Sequence, residues 1–227
     1  MTTTLITGAN KGLGYETARR LLAEGHDVWV GARDAARGQA AADELGARFV
    51  QLDVTDDASV AAAVETVGEL DVLVNNAGIS GGMVPVPEVT PDVVERVLAT
   101  NVVGIVRVTQ AFTPLLKRSP NPMIVNVSSG MGSIGITSDP ERLESTLVGL
   151  QYPASKAAVN MLTTQYAKAL PEMRVNCVDP GYTATDFNRH SGHKTVEQGA
   201  DVIVQMALLD SSGPTGTYVD DQGTVPW

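Results

Sequence analysis

One cysteine, Cys177, stands among 227 residues, which excludes an intramolecular disulfide and any cysteine cluster able to bind zinc. Its neighbours Val175 and Val178 mark it as a buried strand thiol that behaves as a small hydrophobe rather than a nucleophile. Aromatic residues are scarce, at 4%. The core must therefore be built mostly from Val, Ala and Leu, which suits a parallel sheet buried on both faces. Cations are outnumbered: 16 Lys and Arg against 26 Asp and Glu leave a formal charge of −10. That balance excludes nucleic acid as a partner, because a polyanion binder needs a positive surface to displace counterions. A small phosphate in a local basic pocket is still allowed. No signal peptide opens the sequence and no apolar run is long enough to span a bilayer, so no membrane association and a cytoplasmic location are expected. His190 and His193 are three apart but lack a third ligand. With Arg189 and Lys194 they read as a solvated basic spot, and no metal site is expected.

What is present is an alternation of short apolar runs and longer helical stretches. Strands are predicted at 4–7, 28–30, 49–52, 71–74, 123–127 and 174–178, with a last edge strand at 216–219. Helices are predicted at 12–24, 34–45, 56–68, 152–169 and 195–209. Thr90-Pro91 reads as an N-cap followed by proline at the first helical position, starting a helix that runs to about residue 117. The pattern predicts an α/β fold: a single-domain, Rossmann-type doubly wound parallel sheet of about seven strands with helices on both faces. Two irregular segments, 130–151 and 180–194, follow the C-terminal ends of predicted strands. Ligands bind there in open α/β sheets, so these segments are expected to form the substrate mouth.

Thr7-Gly8-Ala9-Asn10-Lys11-Gly12-Leu13-Gly14 lies between the first strand and the first helix. Glycines at that junction permit a tight turn and close approach of a pyrophosphate to the backbone, with the helix N-terminus offering free N–H groups. The spacing is TGxxxGxG rather than GxGxxG, and with it the chain resembles the short-chain dehydrogenase/reductase family. The second strand ends in Val30-Gly31-Ala32-Arg33. By resemblance, the slot that is acidic in NAD-type sites falls on Ala32. Arg33 and Lys11 resemble the cations that meet the 2′-phosphate of NADP(H), for which a guanidinium fork is well shaped. Asp34 is expected to cap the next helix. The resemblance also implies that Asp53 and Val54 bracket the adenine and that Asn75-Asn76-Ala77-Gly78 is the NNAG motif, with Asn75, Ala77 and Gly78 lying along the cofactor.

Tyr152 and Lys156 are four apart on a predicted helix and so share one face. A nearby ammonium favours a phenolate, and a tyrosine tuned in this way can exchange a proton with a developing alkoxide. In Tyr152-Pro153-Ala154-Ser155-Lys156 the pair resembles the family's YxASK. The resemblance further implies that Ser129, rather than Ser128, bonds the substrate carbonyl and that Asn101 holds a water on a relay to the lysine. It assigns the nicotinamide carboxamide to Pro180, Gly181, Thr183 and Thr185, and has Tyr152 and Lys156 also meet the cofactor.

The stretch from Ser129 to Tyr152 is longer than in most members and resembles the carbonyl-reductase-like branch, as do 159–163 and 217–223. The implied activity is NADPH-dependent reduction of a ketone, aldehyde or quinone, a small-molecule carbonyl substrate. Apolar Ile134, Ile136, Leu147 and Leu150 permit a hydrophobic pocket. The insert favours a monomer over a homo-oligomer. Three rivals stand beside this reading: a 3-oxoacyl or polyketide-type ketoreductase, a non-catalytic NADP-binding regulatory protein, and a sugar-nucleotide epimerase. The third would need a larger C-terminal domain.

Overall fold

A computed structural model describes residues 1–227. Seven strands run parallel: β1 (Thr3–Thr7), β2 (Asp27–Ala32), β3 (Arg48–Gln51), β4 (Val72–Asn75), β5 (Met123–Val127), β6 (Arg174–Val178) and β7 (Tyr218–Asp220). An eighth, β8 (Gly223–Thr224), pairs antiparallel with β7. The order across the sheet is β3-β2-β1-β4-β5-β6-β7-β8, so the winding reverses between β1 and β4. The helices are α1 (Gly12–Ala23), α2 (Ala35–Leu45), α3 (Asp57–Val67), α4 (Pro91–Leu98), α5 (Gly104–Leu116), α6 (Ile134–Thr137), α7 (Gln151–Ala169) and α8 (Val196–Ala207).

Successive strand side chains point to opposite faces, and both faces are covered. Ile6, Val30, Val74 and Val125 pack with Leu21 of α1 and Ile203 of α8. Their neighbours Leu5, Leu73, Ile124 and Val175 pack with Val60 of α3 and Phe112 and Leu116 of α5. This is why the strands read as unbroken apolar runs. Cys177 is fully buried in a smaller cluster with Ile136, Tyr218 and Val225.

The structure departs from the sequence pattern in three places. The helix expected from Thr90 to about 117 is interrupted by a π-helical turn at Ala99–Val103 that divides α4 from α5. Its extra residue turns Asn101 into the protein, where a regular helix would not place it. The edge strand lies slightly later than predicted and carries β8 outside it, a two-residue strand too short to leave a periodic signal. The 130–151 segment contains α6 and single turns at Gly130–Gly132 and Leu143–Thr146. It is fastened to the far end of the chain: Ser133 Oγ donates to the Pro226 carbonyl at 2.6 Å and Gly135 N–H to that of Trp227 at 3.3 Å.

A polar ladder crosses the sheet's centre. Asn75 Nδ2 donates to Asn126 Oδ1 at 2.9 Å and to Thr109 Oγ1 at 3.3 Å, and Asn126 Nδ2 donates to Thr163 Oγ1 at 2.9 Å. Asn126 is fully buried, and an orphaned buried polar group costs its whole desolvation penalty. Asn126→Ala is therefore expected to lower the unfolding free energy by about 1–3 kcal/mol, read from urea denaturation.

Candidate active site

The site gathers at the C-terminal ends of β1, β4, β5 and β6. Gly8 and Gly12 adopt φ values of 66° and 58°, in the left-handed region open to glycine. At Gly14 the constraint is space: a Cβ there would lie 2.5 Å from Asn76 Nδ2 and 2.9 Å from the Gly8 carbonyl. Asn76 makes the loop this tight. Its Nδ2 donates to the carbonyls of Thr7 and Gly8 at 2.8 and 3.1 Å, while Thr7 Oγ1 accepts the N–H groups of Asn76 and Ala77, each at 3.0 Å. A Cβ on Gly8 would meet the Ala77 Cα at 3.0 Å. The loop is thus a bare-backbone cradle of the kind that admits a pyrophosphate. The Asn75 side chain is not part of it, being taken up by the buried ladder.

Arg33, at the end of β2, is exposed and has no carboxylate partner. Asp34 is turned away from it, accepting the Arg37 N–H at 3.0 Å as the cap of α2. Lys11 Nζ, in contrast, pairs with Asp186 Oδ2 at 2.9 Å. Asp186 also meets His190 Nε2 at 3.0 Å, a carboxylate partner that the sequence reading of the histidines overlooked. No cluster of three or more His, Cys, Asp or Glu is placed to hold a metal ion. Asp53 turns its carboxylate to Thr55, and Val54 is buried against Gly104. Thr183, 5% exposed, donates to the Pro180 carbonyl at 3.2 Å, and Thr185 precedes the turn at Asp186–Asn188.

Helix α7 carries Tyr152 and Lys156 towards the end of β5. Ser129, one residue beyond Ser128, faces the Tyr152 phenol and favours its ionised form. Ser128 is buried and donates to Asn160 Oδ1 at 2.5 Å, away from the phenol's partner. Asn101 is 1% exposed and fully bonded. Its Oδ1 accepts Ile79 N–H at 2.8 Å, and its Nδ2 donates at 2.9 Å to both the Ile79 carbonyl and Ser155 Oγ. It thereby ties the loop after β4 to α7.

At the Tyr152 phenol the largest influence is desolvation. Burial pushes the phenol well above its ordinary value, outweighing Ser129's opposite pull. Lys156 Nζ is held by the Val127 carbonyl at 2.7 Å and lies 5.6 Å from the centre of the tyrosine ring. Burial also weakens the ammonium, bringing Lys156 down to about 8. At neutral pH the pair is a protonated phenol beside a mostly protonated amine, a state suited to giving a proton away.

Two neighbours escaped the sequence reading. Phe187 leans on Tyr152 with ring centroids 5.3 Å apart, a contact made by the folding back of residues 180–194. Asp179, 4% exposed, ends β6 beside the serine loop. Its signal was in plain sight, a lone carboxylate directly after the strand that holds Cys177. Of the apolar insert residues, Ile134 and Leu147 line a hollow with Val148, Pro153 and Ala157 on the outer side of α7, whereas Ile136 belongs to the core. The crowding at Gly14 makes Gly14→Ala a direct probe of the cradle. The added methyl is expected to lower the unfolding free energy by about 1–3 kcal/mol through overpacking, read from urea denaturation.

Comparison with known proteins agrees with this geometry. The short chain dehydrogenase family model matches residues 2–196. (-)-Isopiperitenone reductase of Mentha piperita is 35% identical, with 94% of this chain and 94% of that enzyme aligned. The alignment runs over 296 positions, so the mint enzyme carries segments that this chain lacks. Salutaridine reductase of Papaver somniferum is 32% identical over 95% of this chain and 93% of its own length. The NADPH-bound carbonyl reductase from chicken fatty liver superposes with a TM-score of 0.88 at 28% identity, covering 100% of this chain and 99% of that one. The chain belongs to the short-chain dehydrogenase/reductase family, as an oxidoreductase of the carbonyl-reductase-like branch.

Proposed function

We propose that the protein reduces a ketone, aldehyde or quinone to an alcohol with NADPH, and that Tyr152 donates the proton. The observation that carries this reading is the half-buried Tyr152 phenol facing Ser129, with Lys156 one helical turn away. The residues present fit the dinucleotide. Gly8, Asn10, Lys11, Gly12, Leu13 and Gly14 would cradle its pyrophosphate, Arg33 would take the 2′-phosphate, and Asp53 and Val54 would flank the adenine. Ala77, Gly78 and the Asn75 backbone would lie along its riboses, with Tyr152 and Lys156 at the nicotinamide end. Pro180, Gly181, Thr183 and Thr185 would hold the carboxamide. When bound, NADPH supplies the hydride.

The chain's own residues do the rest. Ser129 Oγ donates to the substrate carbonyl oxygen, fixing its position and drawing charge onto it. The Tyr152 hydroxyl delivers its proton to that oxygen as it becomes an alkoxide. Lys156 keeps the resulting phenolate from being an uncompensated buried charge. Asn101, through Ile79 and Ser155, fixes α7 at the distance these transfers need. The segments 130–151 and 180–194 form the mouth, with Phe187 narrowing it over Tyr152.

The test is NADPH oxidation, followed by absorbance, across a panel of aromatic ketones, aldehydes and quinones. Tyr152→Phe is expected to lose about a hundredfold or more in kcat while still binding NADPH; unimpaired turnover would remove Tyr152 from the proton path. Arg33→Ala should cut the preference for NADPH over NADH by about tenfold to a hundredfold, the worth of a charge-assisted contact. In the reductive direction kcat/KM should hold level near neutrality and fall as pH rises past about 8, where Lys156 gives up its proton.

A further inference from the structure

We propose that Asp179 is a positioning residue for the reaction, joining the Gly181 turn to the serine loop. The inference rests on the Tyr152 reading above. Its geometric basis is the end of the sheet. Val178 pairs with Val127, whose carbonyl holds Lys156 Nζ, and Ser128 N–H donates to the Val178 carbonyl at 2.8 Å. Asp179 is the next residue, so it emerges where β5 hands over to Ser129. Its Oδ1 accepts Gly181 N–H at 2.9 Å. Its Oδ2 lies 2.9 Å from where a Cβ on Gly130 would stand, and Gly130 N–H also bonds the carboxylate. One side chain therefore touches both the turn assigned to the carboxamide and the loop that carries Ser129.

The side chains that act most on this carboxylate are themselves acidic. From the insert comes Glu144, paired with Arg142 at 3.6 Å. From β7 come Asp220 and the Tyr218 phenol, which burial keeps neutral, and from β6 the Cys177 thiol, likewise neutral. Lys194, over Gly181, is held by Asp221 at 2.9 Å. From α7 come Tyr152 and Lys156 themselves, and Asp179 raises the proton affinity of both. The effects run the same way for carbonyl reduction: the charge keeps the ammonium charged and keeps the phenol's proton in place.

The test is the pH profile of NADPH-dependent reduction for the parent, Asp179→Asn and Asp179→Ala. Asparagine keeps an acceptor for Gly181 N–H but removes the charge. Its alkaline limb in kcat/KM is expected to move to lower pH by about one unit, the size of shift one nearby charge produces. Alanine should show the same displacement and, with the tether gone, a several-fold higher KM for NADPH. A limb in the same place as the parent's, in both variants, overturns the charge role. An unchanged KM in the alanine variant overturns the tether. Thermal unfolding supplies an arm independent of activity. Burial raises the Asp179 carboxyl above its ordinary value. The folded state therefore gains stability from that proton in acid and loses the gain as pH rises through the folded value. Asp179→Asn lacks this term, so its Tm should rise relative to the parent's between acid and neutral pH. A difference still changing above neutral pH shows that Asp179 stays protonated there and overturns the charge role. A parent without carbonyl turnover would sink the reductase reading, while this arm would still report on Asp179.

Discussion

Thr7 and Asn76 hold the glycine loop against the end of β4 so closely that neither Gly8 nor Gly14 has room for a side chain. The rest of the site hangs on this approach. It occurs where the sheet's winding reverses, so the helices after β1 and β4 leave on opposite faces and open a crevice between them. The same asparagine that locks the loop leads, three residues on, into Ile79, which Asn101 and then Ser155 connect to the Tyr152 helix. Glycine loop and Tyr152 helix are thus held in fixed relation by backbone carbonyls and amide side chains, groups that do not titrate. The pH-sensitive groups can change state without loosening this scaffold.

Much of the fold was legible because both faces of the sheet are buried. Runs such as 72–74 and 123–127 are apolar without interruption, and helices such as 12–24 show their spacing on one side only. Capping was legible where the chemistry is local, as with Asp34. Thr90 stands at the expected N-cap position, yet its hydroxyl donates to Asp92 at 2.5 Å and no N–H of the helix reaches it. The π turn at Asn101 left no periodic trace, since one extra residue merely shifts the apolar phase. Adjacent asparagines in an NNAG motif look alike in sequence, but alternation along β4 sends Asn75 into the core and leaves Asn76 at the loop.

The electrostatics were harder to read. Sequence places an amine one helical turn from a phenol and suggests that the amine governs. Folding buries the amine and half-buries the phenol, and for each the loss of solvation is the largest influence. Burial depth depends on Phe187 and the insert, which come from distant stretches of chain. Lys11 shows the same limit: a basic residue in a phosphate loop looks available until the folding of 180–194 brings Asp186 to it. Arg33, at the end of β2, is exposed and has no such partner.

The tie between Ser133 and Pro226 spans 93 residues of chain. A ribosome adding about 5–20 residues per second makes the insert roughly five to twenty seconds before it makes the carbonyl that fastens it. During that interval the glycine cradle, β1 to β5 and Tyr152 are already synthesised, while the wall above them has no anchor. The wall of the site at 130–151 is therefore fastened later than the strands it stands beside.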